Sequence, residues 1–292
     1  MNKYLTLDIG GTFIKYGIFD SGGRQYYSAK EATCRKSEEF LAQLLGIVGK
    51  SEAIDRLKGI AISIAGFINP ETGENNDFSV GKNFVAYNLK KELKHHTGYD
   101  VSIENDANCA ALAELWLGAA KGALDIVTIT LGTGIGGAII SKGRLIRGKG
   151  FKAGEFGLMY CYREKQGEGY RLRSPFATST LVKKVSEALG FKIQGEYIFN
   201  NLDNEIIKQI YENWIEDIAL IIGNIAIAFD PEKILIGGGV SEQKVLISSL
   251  RDKVYELYPH LGGDIAVEAC ALKNNAGMLG ALYHYLREYP EG

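Results

Sequence analysis

Paired cysteines, a long apolar run and an excess of charge of either sign are all missing from this sequence of 292 residues. The four cysteines, Cys34, Cys109, Cys161 and Cys270, stand far apart and form no CxxC or CxC pair. That excludes a zinc knuckle and a disulfide framework, and each is read as a small core residue. The formal net charge is −2, so no strongly basic surface points to nucleic acid and no acidic tail points to disorder. The longest apolar run, IALIIGNIAIAF, is broken by Gly223 and Asn224 and is too short to span a bilayer. No basic, apolar, small-residue leader precedes YLTLDIG. With unpaired cysteines and no export signal, a cytoplasmic location is expected, with no membrane or nucleic-acid partner.

The length suits two domains. Short β-branched or aromatic stretches, KYLTLDI, IKYGIFD and RQYYSAKEA, are separated by glycine turns at Gly10-Gly11 and at 21–23, and read as strands. Ser37 is expected to cap a helix whose apolar face is Phe40, Leu41, Leu44, Leu45 and Val48. LKGIAISIAG and VSIEN read as strands, NLKKELKHHTG as a polar helix ending at Gly98, and DANCAALAELWLGAA as a helix. DIVTITLG and GGAIISKG form a further strand pair. A long irregular stretch runs from about Gly148 to Ser174, followed by helices over 176–189 and 203–229. KILIGGGV is a strand leading to a helix over 243–258, IAVEAC is a strand, and 275–288 is a final helix. Interleaved strands and helices predict an α/β protein. DIGGTFIKYGIFD and TLGTGIGGAIISKG echo one another, each with a glycine turn between two strands. Two such hairpins suggest two similar domains facing one nucleotide.

The glycine motifs are of a particular kind. GxxxxGK[ST] occurs nowhere, and the turn after Asp8 leads into a strand, so neither a Walker A loop nor a dinucleotide fingerprint fits. In DIGGT, Gly10 and Gly11 let backbone N–H groups approach phosphate oxygens, Thr12 adds a hydroxyl, and Asp8 can hold Mg²⁺ through water. LGTGIGG offers Thr133 and Gly134 as a second cradle. Gly237, Gly238 and Gly239 end a strand where a base or ribose can lie, or where a tight strand-to-helix turn is needed.

Two carboxylates stand out. Asp106, in ENDAN, lies at or near a helix N-cap; the plain reading is capping. The helix dipole also favours its ionised form, and phosphoryl transfer needs one carboxylate to take the acceptor's proton. Glu155, in GEFG, sits between glycines in an irregular segment and is either a solvated loop charge or an acceptor for sugar hydroxyls. His95 and His96 read as solvent-facing. His260 and His284 have no evident partner, and no histidine is assigned a role.

In this order, DIGGT, ENDAN, LGTGIGGA, GEFG and ILIGGG resemble the ROK family of sugar kinases and repressors, within the actin–hexokinase superfamily, over essentially the whole chain. The resemblance implies a two-domain actin/hexokinase-like (ribonuclease H-like) fold with an interdomain cleft. A small domain of residues 1–107 with 275–292 would carry the first phosphate loop. A large domain of 108–274 would carry the second phosphate loop and the adenosine motif. It implies Asp106 as the base on the sugar 6-hydroxyl, with Gly66, Asn105 and Glu155 binding sugar. Asp8, Gly10, Gly11, Thr12, Lys15, Thr133 and Gly134 would surround Mg-ATP, with Gly237 to Gly239 near adenosine. A homodimer is implied as well.

The departures concern one side of the sugar. Many family members carry GE-x-GH; here Leu158 replaces that histidine. The CxCGxxGCxE zinc loop has become YCYREKQGEGYRLRSPFA, with Cys161 alone, so no structural zinc is expected. Ser174 stands nearest the missing glutamate. In relatives these groups meet the C1–C2 side of the sugar, so a β-glucoside is expected to fit. Glucose or a β-glucoside is thus the expected acceptor, with N-acetylmannosamine as the alternative. A repressor needs a DNA-binding module before the first phosphate motif, and only seven residues precede Asp8. A non-catalytic sugar sensor would lack the base or a phosphate loop.

Overall fold

The computed structural model describes residues 1–34, 36–77, 88–132, 134–159, 162–166, 169–173 and 177–290. Thr133, Cys161 and Ser174, singled out above, lie outside them. The chain divides into two compact units of similar size: Met1–Leu117 with Arg147–Lys152 and Asn274–Gly292, and Gly118–Ile146 with Ala153–Lys273. The first unit extends past the expected boundary at Ala107 because the helix begun by Asp106 packs against the C-terminal helix.

In the first unit, β1 (Lys3–Ile9), β2 (Phe13–Asp20) and β3 (Gln25–Ala32) form an antiparallel meander. After α1 (Ser37–Glu52), β4 (Leu57–Ile64) pairs parallel to β1. Then α2 (Leu89–Thr97) leads to β5 (Asp100–Asn105), parallel to β4. The sheet order is β3-β2-β1-β4-β5. Interior strand β4 is buried along nearly all its length, as a strand covered on both faces must be. Edge strand β3 alternates between exposed and half-buried residues. Helix α3 (Asp106–Leu117) and the last helix, introduced below, pack on one another, and the last helix crosses β1, β4 and β5. Leu5, Leu7, Phe40, Leu44, Ile60, Ile62 and Leu93 are fully buried in the core, each such side chain stabilising by about 1.5–3 kcal/mol.

The second unit repeats this plan. An antiparallel run of β6 (Ile126–Leu131), β7 (Ile135–Ser141) and β8 (Arg144–Ile146) comes first. A separate hairpin, β9 (Tyr162–Gln166) with β10 (Gly169–Arg173), follows. Then come α4 (Thr178–Leu189), α5 (Gly195–Phe199) and α6 (Glu205–Phe229). The strand β11 (Lys233–Gly237) pairs parallel to β6, and after α7 (Lys244–Leu257) β12 (Ala266–Ala269) pairs parallel to β11. The order β8-β7-β6-β11-β12 matches the first sheet strand for strand. The chain closes with α8 (Ala276–Glu288). Asn204 caps α6, its Oδ1 accepting the N–H groups of Ile206 (3.0 Å) and Ile207 (3.3 Å). Trp214, Ile218 and Ile222 on that helix are buried in the core of the unit.

Several local expectations are corrected. Lys36, without a side-chain cap, holds the N-cap position of α1 in place of Ser37. The stretch after Gly148 contains the β9–β10 hairpin; its sequence alternation is too short and charged to announce strands. Only Cys109 is a buried cysteine among the described ones; Cys34 and Cys270 are half-buried.

Candidate active site

The β1–β2 hairpin places Asp8 opposite Lys15. The Lys15 ammonium lies 3.6 Å from Asp8 Oδ2, and the Ser63 hydroxyl of β4 donates to Asp8 Oδ1 at 2.9 Å. The carboxylate also lies against Gly277, in the first turn of α8, where the helix dipole favours an anion. The Gly10 N–H donates to Phe13 O at 3.0 Å, so it closes the turn and is not free for a phosphate. Gly11 and Thr12 are the exposed tip. Among the described residues no group of three or more His, Cys, Asp or Glu could hold a metal ion. A single carboxylate at a strand end fits Mg²⁺ bound through water with phosphates as its other partners.

At the end of β5 the structure separates two roles that the sequence merges. Asn105 is the helix cap: its Oδ1 accepts the Asn108 N–H at 3.0 Å. Its Nδ2 donates to Gly66 O at 2.9 Å. Gly66 has φ +124°, and a Cβ there would fall 2.3 Å from Asn75 Oδ1. Glycine is therefore required by the packing of this loop, and the Gly66 carbonyl positions Asn105. Asn75 is buried and its Nδ2 donates to Ala65 O at 3.1 Å; nothing in the sequence motif marks it.

Asp106 follows the cap, its Oδ1 accepting the Ala107 N–H at 2.8 Å. It is open to solvent, yet surrounding protein desolvates it enough to raise its pKa. The Asp8 charge raises it further, and the Ala107 N–H opposes. A reachable carboxylate with a raised pKa is suited to proton transfer.

Glu104, one residue earlier, is a group the sequence reading passed over. It is fully buried. Its Oε1 accepts the Asn105 N–H (2.8 Å) and Asn108 Nδ2–H (2.9 Å), and its Oε2 accepts Arg147 Nε–H at 2.6 Å. A glutamate within a buried strand, VSIEN, beside Val101 and Ile103, was the available signal.

In the second unit Gly134 is exposed at the tip of the β6–β7 turn, and its carbonyl accepts the Gly132 N–H at 3.0 Å. Glu155 precedes a short 3₁₀ turn, Phe156–Leu158, and its carbonyl accepts the Leu158 N–H at 3.0 Å. Phe156 is buried against Gly137 of β7, which anchors the turn. Leu158 is 60 % exposed and Met159 is 40 % exposed. Gly237 is buried, while Gly238 and Gly239 are exposed. Gly238 has φ +92°, and a Cβ there would fall 2.1 Å from Leu131 O, so the tight-turn reading holds for it. Gly239 has open space around it. A cavity of about 410 Å³ lies beside this turn, lined by Ser241, Arg251, Cys270 and Lys273 among others.

His95 and His96 are exposed. His284 is half-buried beside Glu288, its Nε2 3.6 Å from Glu288 Oε2, so it does have a neighbour.

Two sheets of one strand order, each opening on a glycine hairpin, define the actin/hexokinase-like fold. The chain belongs to the ROK family, whose profile matches residues 4–288. It is 35 % identical over 98 % of its length to a beta-glucoside kinase of Listeria monocytogenes, of which 98 % is covered. A ROK family protein from Streptococcus pneumoniae, solved in complex with sucrose, superposes with a TM-score of 0.87 at 29 % identity, covering 98 % of each chain. A ROK family glucokinase from Streptomyces griseus, solved with glucose and AMPPNP, gives 0.78 at 26 % identity, covering 96 % of this chain and 98 % of that one.

Proposed function

We propose that this ATP-dependent sugar kinase phosphorylates the 6-hydroxyl of a glucose unit carrying a β-linked substituent on C1. The single observation that carries the β-glucoside reading is Leu158. It presents an exposed apolar side chain three residues after Glu155, where many family members carry a histidine. An apolar, uncharged neighbour leaves room beside C1 and no polar partner for a free anomeric hydroxyl. The similarity to a beta-glucoside kinase supports the same reading, and a relative solved with sucrose, whose glucose carries an α-linked substituent on C1, supports a substituted C1 only.

On this reading Asp106 takes the proton of the sugar hydroxyl as its oxygen bonds to the γ-phosphorus and ADP leaves. Asn105, Gly66 and Glu155 are the residues that the family resemblance assigns to the sugar. The resemblance assigns Gly11, Thr12, Lys15, Thr133 and Gly134 to the phosphates. Gly237 to Gly239 take the adenosine. Asp8 is the residue that would hold Mg²⁺, through water, and the ion would supply neutralisation of phosphate charge. Gly10 contributes shape, since its N–H is engaged. No helix among the described residues is long and apolar enough to cross a membrane. A cytoplasmic setting and a homodimer belong to the same proposal, the dimer to be read by sedimentation.

The test is ADP release coupled to a spectrophotometric readout, with Mg-ATP and glucose, cellobiose, an aryl β-glucoside, mannose, N-acetylglucosamine and N-acetylmannosamine. Higher kcat/KM on the β-glucosides than on glucose is expected. Equal or better turnover of free glucose overturns the glycoside reading, and preference for N-acetylmannosamine installs the alternative.

A further inference from the structure

We infer that Glu104 and Arg147 form a positioning pair for the catalytic turn, an inference that rests on the kinase reading above. Glu104 holds the turn from its buried side. One carboxylate oxygen takes the Asn105 N–H and the Asn108 amide together, at 2.8 and 2.9 Å. Asp106 lies between those two residues in the chain. Asn105 is held in turn by Gly66 O and by the Asn108 N–H. Each polar group flanking Asp106 is thus tied to another, and the tie closes on Glu104.

A fully buried carboxylate is costly without a counter-charge, and Arg147 supplies it at 2.6 Å. Arg147 does more than neutralise. It opens the segment Arg147–Lys152, which packs with the first unit although its neighbours in sequence, Ile146 and Ala153, belong to the second. At the far end of that segment, Lys152 Nζ lies 5.1 Å from the centre of the Phe67 ring, next to Gly66. The segment is therefore held at one end by the residue behind Asp106 and at the other by the loop that holds Asn105. Two residues past Lys152 the chain reaches Gly154, and then Glu155. The pair fixes the aim of Asp106 and the point from which the chain departs toward Glu155.

A buried ion pair could serve packing alone, and replacing such a pair by apolar residues is often neutral for stability. That distinction makes the test. In the double variant Glu104→Met/Arg147→Met no charge is left unpaired, so Tm should fall only by what the two orphaned donors cost. The Asn105 N–H and the Asn108 amide lose their acceptor. The expected result is a kcat lower by about 100-fold, the order produced by a misplacement of 1 Å, with KM for Mg-ATP unchanged. Arg147→Lys, which keeps the charge, should recover most of kcat. A double variant with full kcat overturns the inference.

Amide hydrogen exchange on the unmodified protein reads the pair without turnover and without a variant. The Asn105 backbone N–H, whose acceptor is Glu104 Oε1, should exchange as slowly as those of buried strand β4. Exchange at the rate of an exposed loop overturns the inference even if the double variant does not fold. If no sugar is phosphorylated at all, the kinase reading fails, and exchange still decides whether Glu104 holds the turn.

Discussion

Asn105 accepts the Asn108 N–H through its side chain at 3.0 Å, so Asn105 caps the helix and Asp106 does not. A carboxylate that must cap a helix is committed to backbone donors and is a poor base. Relieved of that duty, Asp106 accepts only local backbone donors among the described residues, the adjacent Ala107 N–H at 2.8 Å and its own N–H. The carboxylate remains exposed to solvent, where a substrate hydroxyl can reach it.

Asp106→Asn should lower kcat by at least about 100-fold, the range of a general base, while sugar binding persists. Near-normal turnover removes Asp106 from the mechanism. Because desolvation and then Asp8 raise its pKa, the acid limb of kcat/KM should lie above the ordinary Asp value of about 3.9. Asp8→Asn should move that limb to lower pH, alongside any loss of Mg-ATP affinity.

The same shift predicts a stability effect. A carboxyl whose pKa is higher folded than unfolded stabilises most below its unfolded pKa, and that contribution is lost as pH rises through the folded value. At pH 7 the ionised Asp106 therefore opposes folding. Asp106→Asn should raise Tm at pH 7, and the gain should vanish at strongly acidic pH. A variant less stable than the parent at pH 7 contradicts this.

His284 carries the opposite sign. Burial lowers its pKa; Arg147 and Lys90 act the same way, and Glu104 and Glu288 oppose. Folded His284 stays neutral where the unfolded chain takes up a proton. Stability should thus decline as pH falls below about 6.5. Tm measured from pH 8 to 5 should fall less steeply for His284→Gln than for the unmodified protein.

Gly238 and Gly239 separate fold from ligand. Gly238→Ala drives a Cβ to 2.1 Å from Leu131 O at a φ of +92° and should destabilise by about 3 kcal/mol or more in urea unfolding. Gly239→Ala meets nothing within 4 Å and should leave stability unchanged while raising KM for ATP. Unchanged KM in Gly239→Ala takes that residue out of the adenosine site.

Leu158→His puts a polar group where the exposed leucine stands. The ratio of kcat/KM for an aryl β-glucoside over glucose should drop at least 10-fold, about 1.4 kcal/mol in transition-state binding. An unchanged ratio means that Leu158 does not border C1.

Much of the plan was legible because it is local. Glycine turns between β-branched runs specify hairpins wherever they occur, and both hairpins stand where DIGGT and LGTGIGG put them. The motif order carried the fold class and the family. The β9–β10 hairpin was not legible, because YREKQ is charged throughout its middle and the alternation in GYRLR is only two apolar residues long.

What the sequence determined by itself is the set of elements and the presence of Asp8, Asp106 and Glu155 at their ends, since period and turn chemistry act over a few residues. Only tertiary structure decided which neighbour each group would have. The Gly10 N–H went to Phe13, the cap went to Asn105, and Gly238 was required by Leu131. Glu104 gained a counter-charge from Arg147, 43 positions away in sequence. Hydrogen bonds and close contacts between distant residues depend on how strands and helices stack, and no spacing along the chain encodes that.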